Sequence, residues 1–306
     1  MLGCDLATRV GSVGLPNPVM CASGTAGHGD ELAAYMDLGA LGAVVVKSLA
    51  AYPWAGNPAP RITSGTGGML NSVGLQGPGV QAWLVQDLPG LLATGARVVA
   101  SIWGHTVGDY ARAAAMLASA PAGVVAVEVN VSCPNLEDHR RMFAHSAAAT
   151  AEVIAVTEAC GRPRWAKLSP NVADIASIAA AALGAGAEAV TLVNTLAGQV
   201  IDPETRAPRL AGGGGGLSGP ALHPVAVRAV FDVRAALGDV AIVGVGGIGS
   251  GTDALEMLMA GASAIQVGSA TFADPRAPER VSAEMARWCR GHGVSALSEL
   301  IGAAHR

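Results

Sequence analysis

Lysine occurs only twice among the 19 Lys and Arg residues of this chain, at Lys47 and Lys167. Each closes an apolar run, Val44-Val45-Val46-Lys47-Ser48 and Trp165-Ala166-Lys167-Leu168-Ser169. Where arginine has replaced lysine almost everywhere, lysine should persist only where the guanidinium fork cannot work. The ammonium is a compact point charge that can sit against a flat ring or share a proton. Two asparagines, Asn130 and Asn194, close other apolar runs, and Cys133 follows the first in Asn130-Val131-Ser132-Cys133-Pro134-Asn135. Pro134 ends that run just past the thiol. With no histidine beside it in sequence, Cys133 suits proton transfer or modest nucleophilicity rather than a protease-type dyad. Cys4, Cys21, Cys160 and Cys289 read as small buried hydrophobes.

A glycine segment, Gly244-Val245-Gly246-Gly247-Ile248-Gly249, matches G-x-G-x-x-G, a weak signal alone. Too little chain follows it for a dinucleotide-binding half with its acidic ribose contact. The better reading is one phosphate, held between this segment and Gly268-Ser269, as barrels often do after their last two strands. One phosphate fits a mononucleotide such as FMN better than NAD.

Eight short β-branched runs must position these residues, at 19–23, 43–48, 97–102, 126–132, 164–169, 189–195, 240–247 and 264–270. Stretches of helical spacing lie between most of them, at 31–38, 110–118, 147–159, 172–185, 224–237 and 252–260. Alternating strands and helices imply βαβ units and a parallel sheet. Eight units point to an α/β fold, a (β/α)8 TIM barrel in one domain over 1–306; a doubly wound sheet would use five or six strands. A barrel carries its site at the C-terminal strand ends. Those ends read Ser23-Gly24, Lys47-Ser48, Ser101, Asn130 with Ser132-Cys133, Lys167 with Ser169, Asn194-Thr195, Gly246-Gly247 and Gly268-Ser269. Turn chemistry accounts for the Ser, Thr and Gly. It does not account for two lysines, for which chance placement at strand ends is about one in a hundred.

Two segments exceed a minimal barrel. Residues 5–18, with Gly14-Leu15-Pro16-Asn17-Pro18, form a hairpin closing the barrel bottom, and residues 49–96 form an elaborated loop over the active-site face, then a helix near 80–92. The glycine run 212–216 reads as a mobile loop.

Composition excludes other classes. With 51% hydrophobic and 14% charged residues among 306, the chain is neither disordered nor solvating. A net charge of −4 offers no basic stripe for nucleic acid. No apolar run of about 18 residues suggests a membrane span, and the first eight residues lack a secretory signal. Five cysteines without C-x-x-C fit a reducing cytoplasm. Seven scattered histidines give no metal-ligand spacing.

The motifs Asn130 to Asn135, Lys167-Leu168-Ser169-Pro170-Asn171, Asn71-Ser72-Val73-Gly74-Leu75, Asn194-Thr195-Leu196, Gly215-Gly216-Leu217-Ser218-Gly219-Pro220 and Gly246-Gly247 together resemble class 1 dihydroorotate dehydrogenase, in order from about Val13 to Ala270. The resemblance implies an FMN-containing barrel that oxidises dihydroorotate to orotate in pyrimidine synthesis. The Lys-Leu-Ser-Pro-Asn form looks most like the branch that passes electrons to NAD through a partner subunit carrying FAD and a [2Fe–2S] cluster, as a homodimer or heterotetramer. The membrane-associated class 2 enzymes use serine as base, and Cys133 argues against them. By resemblance, Cys133 is the base for the C5 proton, and Lys47, Asn71, Ser72, Val73, Gly74, Leu75, Asn130, Asn194 and Thr195 hold the substrate. Lys167 stabilises the reduced flavin. Ser23, Gly24, Lys47, Ser48, Ser101, Asn130, Val193, Gly219, Gly246, Gly247, Gly268 and Ser269 join it in contacting FMN.

Departures from the family pattern keep the substrate open. Ser101 stands where asparagine is usual, Trp103 is bulky enough to narrow the site, and residues 136–143 lack the glycines of the family's catalytic loop. His28 stands where an aromatic is common and reads as a loop residue. The alternative is an FMN barrel acting on a different dihydropyrimidine or related cyclic amide. A Schiff-base lyase using Lys167 leaves the double glycines and Cys133 without a purpose. A non-catalytic flavoprotein scaffold is the remaining reading.

Overall fold

The structure, a computed structural model, describes residues 4–133 and 142–306. Eight parallel strands close into a barrel: β1 (Val19–Cys21), β2 (Ala43–Val45), β3 (Val98–Ile102), β4 (Val124–Asn130), β5 (Arg164–Lys167), β6 (Ala189–Leu192), β7 (Ile242–Val245) and β8 (Ala264–Val267). Each pairs with its successor in the chain, and β8 pairs with β1 to complete the ring. All eight expected strands are present. Most stop a little short of their expected C-terminal ends, because the mouth residues leave the ladder to face the site.

The pleat sorts alternate residues onto opposite faces. Met20, Val45, Val99, Ala126, Trp165, Val243 and Ala264 gather inside the barrel, while Val44, Val98, Val127, Ala166 and Ile265 join the larger cluster under the helices. The expected hairpin, Thr8–Val10 with Val13–Leu15, turns Val10, Val13 and Leu15 into the interior cluster and plugs the bottom.

The helices are α1 (Val80–Gln86), α2 (Leu88–Ala93), α3 (Val107–Leu117), α4 (Ala147–Val156), α5 (Ile175–Gly184), α6 (His223–Leu237), α7 (Gly251–Met259), α8 (Ala270–Ala273) and α9 (Ala277–Gly291). Three expectations change. Segment 31–38 is not one helix but two 3-10 turns, Glu31–Ala34 and Leu38–Ala40. The Asp37 carboxylate accepts from Gly39 N at 2.9 Å and starts a fresh turn instead of continuing the first. The helix expected near 80–92 breaks at Asp87 into α1 and α2, since Pro89 lacks the N–H that a continuous helix would use. The glycine run 212–216 is loop only in part: its last two residues open the strand Gly215–Ser218, which lies between Leu196–Gly198 and Gly68–Asn71, with Ile62–Gly65 outermost. Side chains have no room there. A Cβ on Gly215 would lie 2.6 Å from Asn71 O, and one on Gly216 would run into Thr195. The elaborated loop of 49–96 thus joins a second loop, distant in the chain, as one sheet. No helix among the described residues is long and apolar enough to cross a membrane.

Candidate active site

The polar ends of β1, β2, β3, β4 and β6 meet in one hydrogen-bonded chain. Ser23 Oγ lies 3.4 Å from Ser48 Oγ, and Ser48 shares a 2.8 Å bond with Ser101 Oγ. Asn130 Nδ2 donates to Ser48 Oγ at 3.3 Å, and Asn194 Nδ2 donates to Asn130 Oδ1 at 3.2 Å. Asn194 Oδ1 in turn accepts Thr195 N at 2.8 Å. Ser101 is fully buried and engages Ser48, so the shorter residue is used to hold its neighbour.

One layer below lies a network that sequence reasoning missed. Glu128 is fully buried. Its Oε2 accepts Gln266 Nε2 at 2.7 Å and Thr191 Oγ1 at 3.1 Å. Its Oε1 stands 3.4 Å from Lys167 Nζ, at ion-pair distance but without hydrogen-bond alignment. Lys167 Nζ also donates to Gln266 Oε1 at 3.4 Å. Lys167 is therefore no bare cation. The available signal was Glu128 itself, the one charged residue in Val124–Asn130 and at interior parity with Asn130.

Lys47 reaches the same space. Burial pulls its ammonium below the ordinary lysine range; the nearby Cys133 opposes this, and the like charge of Lys167 adds to it. Gly24, at φ +90°, leaves the room beside it: a Cβ there would lie 3.4 Å from Lys47 Nζ. Cys133 is 1% exposed and packs with Ala50, Trp103, Tyr52 and Leu75. Burial pushes its thiol up to about 12, against the lowering influence of the Tyr110 hydroxyl and the Lys47 ammonium. Trp103 extends this wall through edge-to-face contacts with Tyr52, Trp54 and His105. Trp103 Nε1 and Ser132 Oγ, both flanking Cys133, are buried without a hydrogen-bond partner.

The segment Asn71 to Leu75 arrives beside the cysteine, with Leu75 in its cluster at φ +64°. Two residues absent from the sequence reading hold it. Asn57 Nδ2 donates to Ser72 Oγ at 2.9 Å and Ser72 O at 3.0 Å, while Asn57 N donates to Val73 O at 3.0 Å. Trp54 Nε1 donates to Gly74 O at 2.9 Å. Asn71 Nδ2 reaches Gly216 O at 3.4 Å, tying the segment to the glycine strand. No sequence signal marks Asn57.

Across the mouth, Gly246 and Gly247 take positive φ (+137° and +67°) so that α6 can approach. A Cβ on Gly247 would lie 2.6 Å from His223 Cβ, and one on Gly246 2.7 Å from Ala226 Cβ. His223 was also missed; its Nδ1 is 2.9 Å from Gly246 O and its Nε2 2.9 Å from Glu256 Oε2. A Cβ on Gly268 would meet only Ala22 Cβ, at an ordinary contact distance of 3.5 Å. Ser269 Oγ donates to Ser218 Oγ at 2.7 Å, which brings the turn at Gly219 (φ +101°) to the β8 mouth. Val193 is nearly buried, its N donating to Val245 O at 2.8 Å. His28 stays in the loop after β1, where Trp83 Nε1 donates to its carbonyl at 2.8 Å. In the expected catalytic loop 136–143, positions 136–141 lie outside the described residues, as do Pro134 and Asn135. Among the described residues no cluster of three or more His, Cys, Asp or Glu is placed to hold a metal ion.

The arrangement pairs a buried thiol with a cation and a set of amides, across from the glycine turns that end β7 and β8. It can hold a planar, acidic, hydrogen-bonding ligand and move one proton. A model of the family described as dihydroorotate dehydrogenase matches residues 5–288. The chain is 46% identical over 300 residues to "Dihydroorotate dehydrogenase B (NAD(+)), catalytic subunit" of Geobacter metallireducens, covering 98% of each chain. A protein of the same description from Desulforudis audaxviator is 48% identical over 301 residues, 98% of this chain and 97% of the relative. Another, from Geobacter sp. strain M21, is 45% identical over 300 residues, again 98% of each.

Proposed function

Because the chain belongs to the dihydroorotate dehydrogenase family, we propose that it oxidises dihydroorotate to orotate in pyrimidine synthesis, as one domain holding FMN at the barrel mouth. The observation that carries this reading is the convergence of one buried thiol, two lysines and two asparagines at the same strand ends. Their donor set suits FMN: Lys167 Nζ lies beneath the mouth, Ser48 and Asn130 offer hydroxyl and amide, and Gly268 adds no side chain beside Ser269. FMN held there would supply the hydride acceptor for the oxidation.

The chain's own residues do the rest. Cys133 takes the C5 proton. Lys47, Asn130, Asn194, Thr195 and the segment Asn71 to Leu75 grip the carboxylate and ring edges, and Trp103 and Leu75 exclude water from the sulfur. Lys167 supplies positive charge to the cofactor, moderated by Glu128. Ser23, Gly24, Ser48, Val193, Gly219, Gly246, Gly247, Gly268 and Ser269 line the cofactor, and Ser101 acts through Ser48. The relatives' description as catalytic subunits of an NAD(+)-linked enzyme supports a partner subunit, for which FAD and a [2Fe–2S] cluster are the fitting carriers, in the cytoplasm.

Purified protein should be yellow, with about one FMN per chain, and anaerobic dihydroorotate should bleach it. Bleaching by another dihydropyrimidine but not by dihydroorotate would transfer the assignment to that substrate. A colourless protein that takes up no FMN would end both readings.

A further inference from the structure

Tyr110 lies in the first turn of α3, fully buried and far from any solvent-facing role. Its place is fixed twice over. A capping box between Thr106 and Asp109 pins the turn, and the ring meets Phe143 edge-on at 5.4 Å and 87°. Phe143 N donates in turn to Cys133 O at 3.3 Å, so one residue props both the tyrosine and the cysteine.

The hydroxyl of Tyr110 donates to Asn130 O at 2.7 Å, and the thiol of Cys133 donates to the same oxygen at 3.4 Å. Two X–H groups thus converge on one carbonyl, which places the hydroxyl next to the sulfur. While Cys133 is a thiol, both donate to Asn130 O. Once the thiol proton has gone, the sulfur is an acceptor in a pocket otherwise walled by Ala50, Tyr52, Trp103 and Leu75, with Trp103 Nε1 and Ser132 Oγ on its flanks. A turn about the phenolic C–O bond then redirects the intact Tyr110 O–H from the carbonyl oxygen to the sulfur. A hydrogen bond to an ionised acceptor is about twice as strong as a neutral one. We propose that Tyr110 is a positioning residue for the base: its hydroxyl is a switchable donor that turns from Asn130 O to the Cys133 thiolate. The inference rests on the reading of Cys133 as the base. When the sulfur takes a proton from substrate carbon, an S–H bond forms, the C–H electron pair stays with the substrate, and the hydroxyl returns to the carbonyl.

The other groups facing this sulfur have different work. Lys47, from the end of β2, acts through charge. Tyr52, from the segment beyond it, is turned to Asp109 Oδ2 at 3.3 Å, and Asp109 is paired with Arg112. The direction of the balance agrees: burial raises the Cys133 thiol, and Tyr110 is the first of the two groups that lower it.

Tyr110→Phe keeps the ring and its contact on Phe143 while removing the donor. Two readouts on the FMN-loaded protein test the proposal. The first is thiolate ultraviolet absorbance against pH without substrate, taken as a difference from Cys133→Ser. On the rising limb of the titration, Tyr110→Phe should show about tenfold less thiolate than the parent at the same pH. The second is anaerobic flavin reduction by dihydroorotate, which should be about tenfold slower near neutral pH and approach the parent rate at high pH. The same change in the Cys133→Ala background, which leaves no acceptor at 133, should not shift the pH dependence of whatever residual rate remains. Site-specific fluorotyrosine at 110, a stronger donor that fits the same space, should move both curves to lower pH. Curves that superimpose on the parent's, or a rate lowered equally at every pH, would overturn the proposal. A shifted titration in a protein whose parent is inert to dihydroorotate would uphold the Tyr110–Cys133 bond and count against the function.

Discussion

The plugged end of the barrel and its open mouth are built from the same strands, two residues apart. Val45, Val99, Ala126 and Trp165 meet the hairpin's Val10, Val13 and Leu15 in a wholly apolar layer. Two positions on, at the same parity, come Lys47, Ser101, Glu128 and Lys167. Two residues along a strand span about 6.6 Å, so one pleat separates an oil-filled plug from a charged floor. The plug tolerates error in proportion to volume, because burial has no direction. The mouth does not, because Ser48, Ser101, Asn130 and Asn194 each depend on a particular hydrogen-bond partner. The Glu128–Lys167 layer is the border, as deeply buried as the plug and as specific as the mouth.

The sharpest way to separate the ends is Cys133→Ser. A serine keeps the packing but is a far weaker base, so flavin reduction near neutral pH should fall about 10²- to 10⁴-fold, the usual share of general-base catalysis. Thermal stability should hardly change. An unaltered reduction rate in stopped-flow would remove Cys133 from the chemistry and erase the contrast.

Glu128→Leu strikes the border. It leaves Lys167 buried beside an amide and an apolar chain. Breaking a buried pair by removing one partner costs about 3–5 kcal/mol. Urea unfolding should register that loss, and FMN binding should change with it, since Lys167 would no longer be balanced. A variant as stable as the parent would mean that the pair contributes nothing net to the fold.

Leu15→Ala strikes the plug alone. A buried leucine truncated to alanine costs about 2–5 kcal/mol, and Leu15 is 3% exposed. The midpoint in denaturant should drop, while flavin reduction in the folded fraction keeps its rate and pH profile. A changed pH profile would show that the two ends communicate.

Much of this division can be read along the chain. β-branched runs ending in polar residues mark all eight strands, because a buried parallel strand needs apolar residues on both faces until it reaches the mouth. Lys47 and Lys167 stand out because a charge is costly in such runs, and Cys133 because Pro134 ends its run just past the thiol. Glu128, Thr191 and Gln266 do not stand out. Each looks like one polar residue in its own strand, and they become a network only when β4, β5, β6 and β8 close around one axis. The strand at Gly215–Ser218 was hidden for a related reason. Its glycines are required by Asn71 and Thr195, which approach from elsewhere in the chain. Tyr110 reads locally as a helix residue, and its meaning comes from Asn130 O, twenty positions away.

Asn57 gives the smallest and most selective test of the comparison. It belongs to neither end of the barrel but to the elaborated loop, and it makes three hydrogen bonds onto Ser72 and Val73. Truncation in Asn57→Ala removes the two from the side chain and leaves the backbone one. A hydrogen bond contributes about 1 kcal/mol net, and the site is partly open to water, so stability should fall by about that much or less. The effect on function should be larger in KM than in kcat. The segment Asn71 to Leu75 grips substrate in the proposed site, while Cys133 is held by β4, α3 and Phe143. Loosening the grip without moving the base should raise KM for dihydroorotate several-fold and leave flavin reduction at saturation near the parent rate. If kcat fell and KM held, the loop would be positioning the base rather than the substrate, and the boundary of the mouth would have to be redrawn to include it.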